Sequence, residues 1–333
     1  MENQATGWSG LDRIRLRHEA LPDLDFADIQ LASTLLGHSL QAPFYIAGMT
    51  AGHPDAPLFN QRLAEACQRR GWAMGLGSQR RDLEALESLE AGAGAGVDRW
   101  SEFRTQFPNL ILFANLGISQ VIHCSLDRIR SITALVGAQA LVIHTNALQE
   151  TLQVGGTPSF KGCFHALEKI CSALEIPVVL KETGCGFSSE TLRRLKQTGL
   201  DAIDVSGLGG THWGRIEGAR AAEGTLQAAA APAFADWGVP TTEAVLAAKR
   251  ELPAHIEIWA SGGVRTGLDA AKLLALGAHQ VGFAKPALDA AQAGPEALDA
   301  WMAAREYELR VALFCTGLAT PAELRTNPGV IHG

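Results

Sequence analysis

Several short apolar runs in this 333-residue chain end in residues that can do chemistry. PVVL is followed by Lys181-Glu182, LVI by His144-Thr145-Asn146, LFA by Asn115, DV by Ser206-Gly207 and IWA by Ser261-Gly262-Gly263. Two further runs end in Met49-Thr50 and Gly77-Ser78-Gln79-Arg80. A lysine at the tip of an apolar strand is a charge set out for an anionic ligand; a solvated lysine does not suit the run before it. Adjacent glycines at such a tip let the backbone come close, and with the following helix N-terminus their N–H groups can receive an anion. Gly262-Gly263 therefore reads as a phosphate cradle, which Gly209-Gly210-Thr211 can close. Two glycines standing alone would read as a tight turn. His144 alone would read as a hydrogen-bonded core histidine, Glu150 as a solvated loop carboxylate, and Trp213 as well a packed as a functional ring.

What decides between these readings is the set of elements that must position the tips. Eight apolar runs recur: 43–49, 72–78, 110–117, 140–146, 177–183, 202–207, 256–263 and 280–286. Most are continuously apolar, as parallel strands buried on both faces are. Helical patterns lie between them, such as SETLRRLKQTG, closed by Gly199. Eight β–α alternations point to a (β/α)8 TIM barrel, over a doubly wound sheet, which has no reason for eight evenly spaced units. In a barrel the C-terminal strand ends form one rim, where function sits, and phosphate is held after the seventh and eighth strands. The reading is of one barrel domain over 1–333, with an N-terminal extension over 1–40 and a long active-site insert over 208–240 after the sixth strand.

Bulk properties narrow the classes. The net charge is −7, which argues against general binding of nucleic acid or a membrane surface. Six cysteines without CxxC spacing read as thiols of a reducing compartment, not as disulfides or a zinc site. The start has no basic segment followed by an apolar core, and no run approaches the ~18 apolar residues that would span a bilayer, so a cytoplasmic location is expected.

SGGVRTGLDAAKLLALGA, with the lysine of the fifth run, resembles the FMN-binding barrels. Over nearly the whole chain, PFYIAGMT, GLGSQR, ANLG, HTNALQE, VVLKETGCGFS, SGLGGTHW with Glu217, and DWGVPTT resemble the type 2, FMN-dependent isopentenyl diphosphate isomerases. The resemblance implies a 1,3-allylic proton shift between isopentenyl and dimethylallyl diphosphate, with reduced FMN as acid/base, Mg2+ on the diphosphate and NADPH as reductant. It implies catalytic roles for His144, Gln149, Glu150, Lys181, Trp213 and Glu217, with Glu150 as the metal ligand. FMN would be held by Ala47, Met49, Thr50, Ser78, Asn115, Lys181, Ser206, Gly210, Thr211, Gly262, Gly263, Arg265 and Ala284. Substrate would meet Arg15, His18, Arg80, Arg104, His144, Asn146 and Gln149. A homo-oligomer, tetramer or octamer, is also implied.

The chain departs from that pattern in four places. Ile14 stands where the family has a first basic residue before Arg15 and His18. Met49-Thr50-Ala51-Gly52 replaces MTGG, Gln153-Val154-Gly155-Gly156-Thr157 loses two acids, and His212 stands where a small polar residue is usual. Several of these changes fall near the expected diphosphate end, so a paralogue acting on another allylic substrate stays open. A 2-hydroxy-acid oxidase is the other enzymatic reading, but its His-Gly-Gly-Arg run is absent from SGLGGTHW. A non-catalytic flavin protein is the third, against which HTNALQE stands.

Overall fold

The computed structural model describes residues 8–90 and 98–332. Eight parallel strands close into a barrel: β1 (Phe44–Ile46), β2 (Ala73–Gly75), β3 (Leu112–Gly117), β4 (Ala140–Thr145), β5 (Val178–Glu182), β6 (Ala202–Asp204), β7 (Glu257–Ala260) and β8 (Gln280–Phe283). Each falls inside one of the eight apolar runs, and strand neighbours follow chain order around the ring. The strands are buried on both faces, which is why the runs do not alternate.

The interior is layered. At the lower end a short hairpin of the N-terminal extension, Ser33–Leu35 with His38–Leu40, inserts Leu35 and Leu40 among Val142, Val179, Phe113 and Trp259. Gln280 Nε2 donates to the Thr34 carbonyl at 2.8 Å and Leu36 N to Glu257 Oε1 at 2.9 Å, fixing the plug to the feet of β8 and β7. Above it, Trp259 packs between Tyr45 and Phe113, with ring centroids 5.2 and 5.3 Å away. Above the rings the lining turns polar: Asn115, Lys181 and Asp204.

The extension runs the height of the barrel. Its upper end lies at the C-terminal rim, where the Ser9 carbonyl accepts from Thr242 N at 3.0 Å and a Cβ on Gly263 would meet Ser9 Cβ at 3.0 Å. Arg15–Leu16 then pairs antiparallel with Ile331–His332 on the flank. The 208–240 insert is drawn into a closed loop at its base, where Leu208 N donates to the Val239 carbonyl at 2.8 Å and Val239 N to the Cys185 carbonyl at 2.8 Å. It carries the helices Trp213–Arg220 and Leu226–Ala230.

Candidate active site

The rim is built in two halves. The first is a glycine cradle over β6, β7 and β8. Gly262 and Gly263 have φ of +99° and +78°, conformations that favour glycine. A Cβ on Gly262 would collide with the Gly207 carbonyl oxygen, and one on Gly210 would stand 2.5 Å from Gly263 N, so the loops after β6 and β7 meet backbone to backbone. Thr241 Oγ1 donates to the Gly262 carbonyl at 2.7 Å, and Arg265 Nη1 to the Gly263 carbonyl at 3.0 Å. Thr266 caps the helix Gly267–Leu276 in a capping box with Asp269. The helix Lys285–Ala293 starts at Ala284 with no side-chain cap; Pro286 has no N–H and Ala287 N donates to the Ala284 carbonyl at 3.0 Å, so the positive end of the helix dipole, more than a row of N–H groups, is what it offers an anion.

The second half is a polar arc over β3, β4 and β5. Cross-strand register sets Gly117 beside His144 and His144 beside Lys181, then Lys181 beside Asp204. Asn115 Nδ2 donates to the Leu76 carbonyl at 2.8 Å, so its Oδ1 is the acceptor for His144 Nδ1, 2.8 Å away. That bond leaves Nε2 of His144 as an acceptor. Burial, with the Lys181 cation beside it, pushes His144 down to about 4, so the imidazole is neutral near pH 7. Lys181 is 8% exposed, and among the described residues its Nζ hydrogen-bonds to neutral acceptors, the Glu182 carbonyl at 3.0 Å and Ser206 Oγ at 3.4 Å. A buried ammonium with no carboxylate hydrogen-bonded to it favours a bound anion. Next to it, burial pushes the Glu182 carboxyl up to about 8, while Cys185 N and Gly186 N, at 2.5 and 3.0 Å, shape the loop after β5 around it.

Other expected residues are near the rim with specific tasks. Thr50 donates to Asn60 Oδ1 at 2.7 Å, Ala47 N to the Phe283 carbonyl at 2.9 Å, and Met49, Ser78, Thr211 and Trp213 are half-buried. After β4, Asn146 caps the helix Ala147–Leu152 through Oδ1, 2.7 Å from Gln149 N, and donates from Nδ2 to the Thr183 carbonyl at 3.0 Å. Its amide is thus already used within the fold. Gln149 bonds Gln153 at 3.2 Å; Glu150 Oε2 accepts from Thr157 N at 2.6 Å, and its other oxygen has no partner among the described residues. Glu217 is buried beside Arg220, 3.1 Å away.

Four expected substrate contacts lie elsewhere or are engaged. Arg104 donates to the carbonyls of Phe107 and Leu110 at 3.2 and 2.7 Å, at the foot of β3, so it braces the end opposite the rim. Arg15 is exposed on the flank strand and donates to the carbonyls of Asp12 and Ile14 in its own segment; His18 is likewise exposed. Arg80 pairs with Glu84 at 3.0 Å and is exposed. The departures gain physical reasons. Ile14 is half-buried and packs its apolar side chain against the core. His212, fully buried, accepts from Arg215 N through Nδ1 at 3.2 Å and stands 3.2 Å from the Trp237 carbonyl through Nε2, tying the two ends of the insert.

Asp204, Tyr45 and Thr241 were not among the expected residues. An acid inside the apolar run AIDVSG is a signal in itself, since a buried carboxylate must be hydrogen-bonded.

A closed (β/α)8 barrel with a glycine cradle after β6 to β8 and a lone lysine on β5 defines a class, that of the FMN-dependent barrels. The sequence model of the FMN-dependent dehydrogenases matches residues 3–106 and 118–330. The flavin-binding domain of baker's yeast flavocytochrome b2 superposes with a TM-score of 0.72 at 18% identity, covering 100% of this chain and 79% of that one, and a mandelate oxidase with 0.65 at 19%, covering 98% and 87%. At these identities the likeness speaks for the fold. Curated relatives named isopentenyl-diphosphate delta-isomerase are nearer in sequence. That of Legionella pneumophila is 47% identical over 95% of this chain and 90% of its own. That of Bdellovibrio bacteriovorus is 44% identical over 98% and 92%, and that of Halobacterium salinarum 39% over 99% and 89%. The chain belongs to the isopentenyl-diphosphate delta-isomerase family.

Proposed function

We propose that this enzyme interconverts isopentenyl and dimethylallyl diphosphate by a 1,3-allylic proton shift at the β-strand rim, with reduced FMN and Mg2+ bound. The observation that carries the reading is the buried Lys181, whose hydrogen-bond partners among the described residues are neutral, on the same rim as the close-packed glycine turns at Gly262 and Gly263. FMN fits that arrangement: one phosphate suits the Gly262, Gly263 and Gly210 backbone and the start of the helix at Ala284, and an anionic ring suits Lys181. Reduced flavin supplies an acid and a base that can move a proton between carbons with no net oxidation. The chain's own part is to bind and orient. Lys181 holds negative charge at the ring, Asn115 keeps His144 in one tautomer, and the insert with Trp213 and Glu217 covers the substrate side.

For the metal, Glu150 offers one free carboxylate oxygen, and among the described residues no group of three or more metal-ligating side chains converges. Mg2+ often takes one or two protein carboxylates and completes its shell with phosphate oxygens and water, which Glu150 fits. NADPH is the reductant this reading calls for, in a cytoplasmic homo-oligomer; among the described residues no helix is long and apolar enough to cross a membrane.

The test is anaerobic incubation of the FMN-loaded enzyme with isopentenyl diphosphate and Mg2+. The expected result is dimethylallyl diphosphate from the reduced enzyme and none from the oxidised one. Dye reduction by a 2-hydroxy acid, without isomerisation, would replace this reading with the oxidase one. Negligible turnover of isopentenyl diphosphate with flavin bound and reduced would point to a different allylic substrate.

A further inference from the structure

Ser206, at the end of β6, has φ +35°, one of three non-glycine residues with positive φ among those described. Such a conformation persists only where the surroundings over-determine it. Here they do. Ser206 N donates to Asp204 Oδ1 at 3.1 Å, and the Ser206 carbonyl accepts from Gly184 N at 2.9 Å and Gly186 N at 3.3 Å. Its hydroxyl is the side-chain partner of Lys181 Nζ. The next residue, Gly207, lies directly beneath Gly262 of the cradle. The turn at Ser206 thus joins the two halves of the rim.

Asp204 is 1% exposed and its carboxylate is answered on both oxygens. Tyr45 donates to Oδ2 at 2.6 Å, and Ser261 Oγ shares Oδ1 with Ser206 N, at 2.8 Å. Three strands, β1, β6 and β7, are tied at one carboxylate directly below the site. Nothing in the proposed chemistry uses this acid, yet a buried carboxylate directly above the layer of rings is not a packing choice.

We infer that Asp204 is a positioning residue of the flavin site: it holds Ser206 in its left-handed turn, and so sets both the hydroxyl beside Lys181 and the backbone under the phosphate cradle. The inference rests on the flavin reading above.

A double-mutant cycle on FMN affinity tests it, with thermal unfolding of the apo protein as the structural control. Asp204→Asn keeps the shape but not the charged acceptor, and is expected to weaken FMN binding roughly tenfold. Ser206→Gly adopts positive φ without help. In that background the same Asp204→Asn change should weaken FMN less than about twofold, the non-additivity of residues acting as one unit. Additive losses, or an Asp204→Asn protein that binds FMN as wild type does, overturn the inference while leaving the flavin reading intact. A wild-type protein that binds no FMN overturns both. If Asp204→Asn does not fold, Ser261→Ala removes the other donor on Oδ1. Its smaller loss must also vanish in the Ser206→Gly background, and persistence of that loss refutes the inference.

Discussion

The two ends of the barrel solve opposite problems. At the lower end Leu35 and Leu40 seal the interior, Arg104 gives its protons to the carbonyls of Phe107 and Leu110, and Glu257 accepts from Leu36 N. The cations and carboxylate there are met by the protein itself. At the upper end the hydrogen-bond acceptors of Lys181 among the described residues are neutral oxygens, one helix starts without a side-chain cap, and Ser206 is held at positive φ. The lower end is complete as folded; the upper end is arranged around groups the protein does not supply. Arginines at one end and a lysine at the other thus have unlike meanings, and position along the strand, not residue type, separates them.

The sharpest way to break this contrast is to change one residue at each end. Lys181→Met should lower kcat by roughly 10²–10³, the range for losing one preorganised charge at a reacting centre, with the thermal midpoint little changed. Leu35→Ala should do the reverse, lowering unfolding free energy by about 3 kcal/mol in denaturant titration with kcat per folded molecule intact. A Lys181 variant that loses stability and keeps its rate would erase the distinction.

Each end holds a neutral, half-buried histidine, His144 above and His279 below, each pushed down to about 4, mainly by desolvation. A depressed folded value means that the unfolded chain takes up the proton first. The stability each contributes is therefore full above about pH 6.5 and drains away as pH falls towards 4. Replacing either with glutamine should flatten that acid decline in pH-dependent melts; an unchanged decline in both variants would show that these rings are not held neutral.

The smallest effects concern the misplaced cations. Arg104→Ala strands two carbonyls and should cost about 1–2 kcal/mol, and Ile14→Arg about as much, from a packed flank. Neither should change KM for isopentenyl diphosphate. A lowered KM for Ile14→Arg would put that segment at the diphosphate after all.

The strands were legible because each is a continuous apolar run, and the cradle because Gly262-Gly263 follows the seventh of eight. Arg104 misled because a basic residue between strands can face either end, and sequence spacing does not say which. Asp204 escaped because its run reads as apolar strand. The meeting of Tyr45, Asp204 and Ser261 spans 216 positions of chain, from 45 to 261, and only the closed barrel brings them together.

The most direct test of the rim as a site built for an anionic reduced flavin is the two-electron reduction potential of bound FMN in wild type and in Lys181→Met. A charge-assisted contact made to the reduced form and lost in the variant should make the potential about 30–60 mV more negative. An unchanged or more positive potential would contradict the account, since Lys181 would then not be the charge that the reduced ring meets.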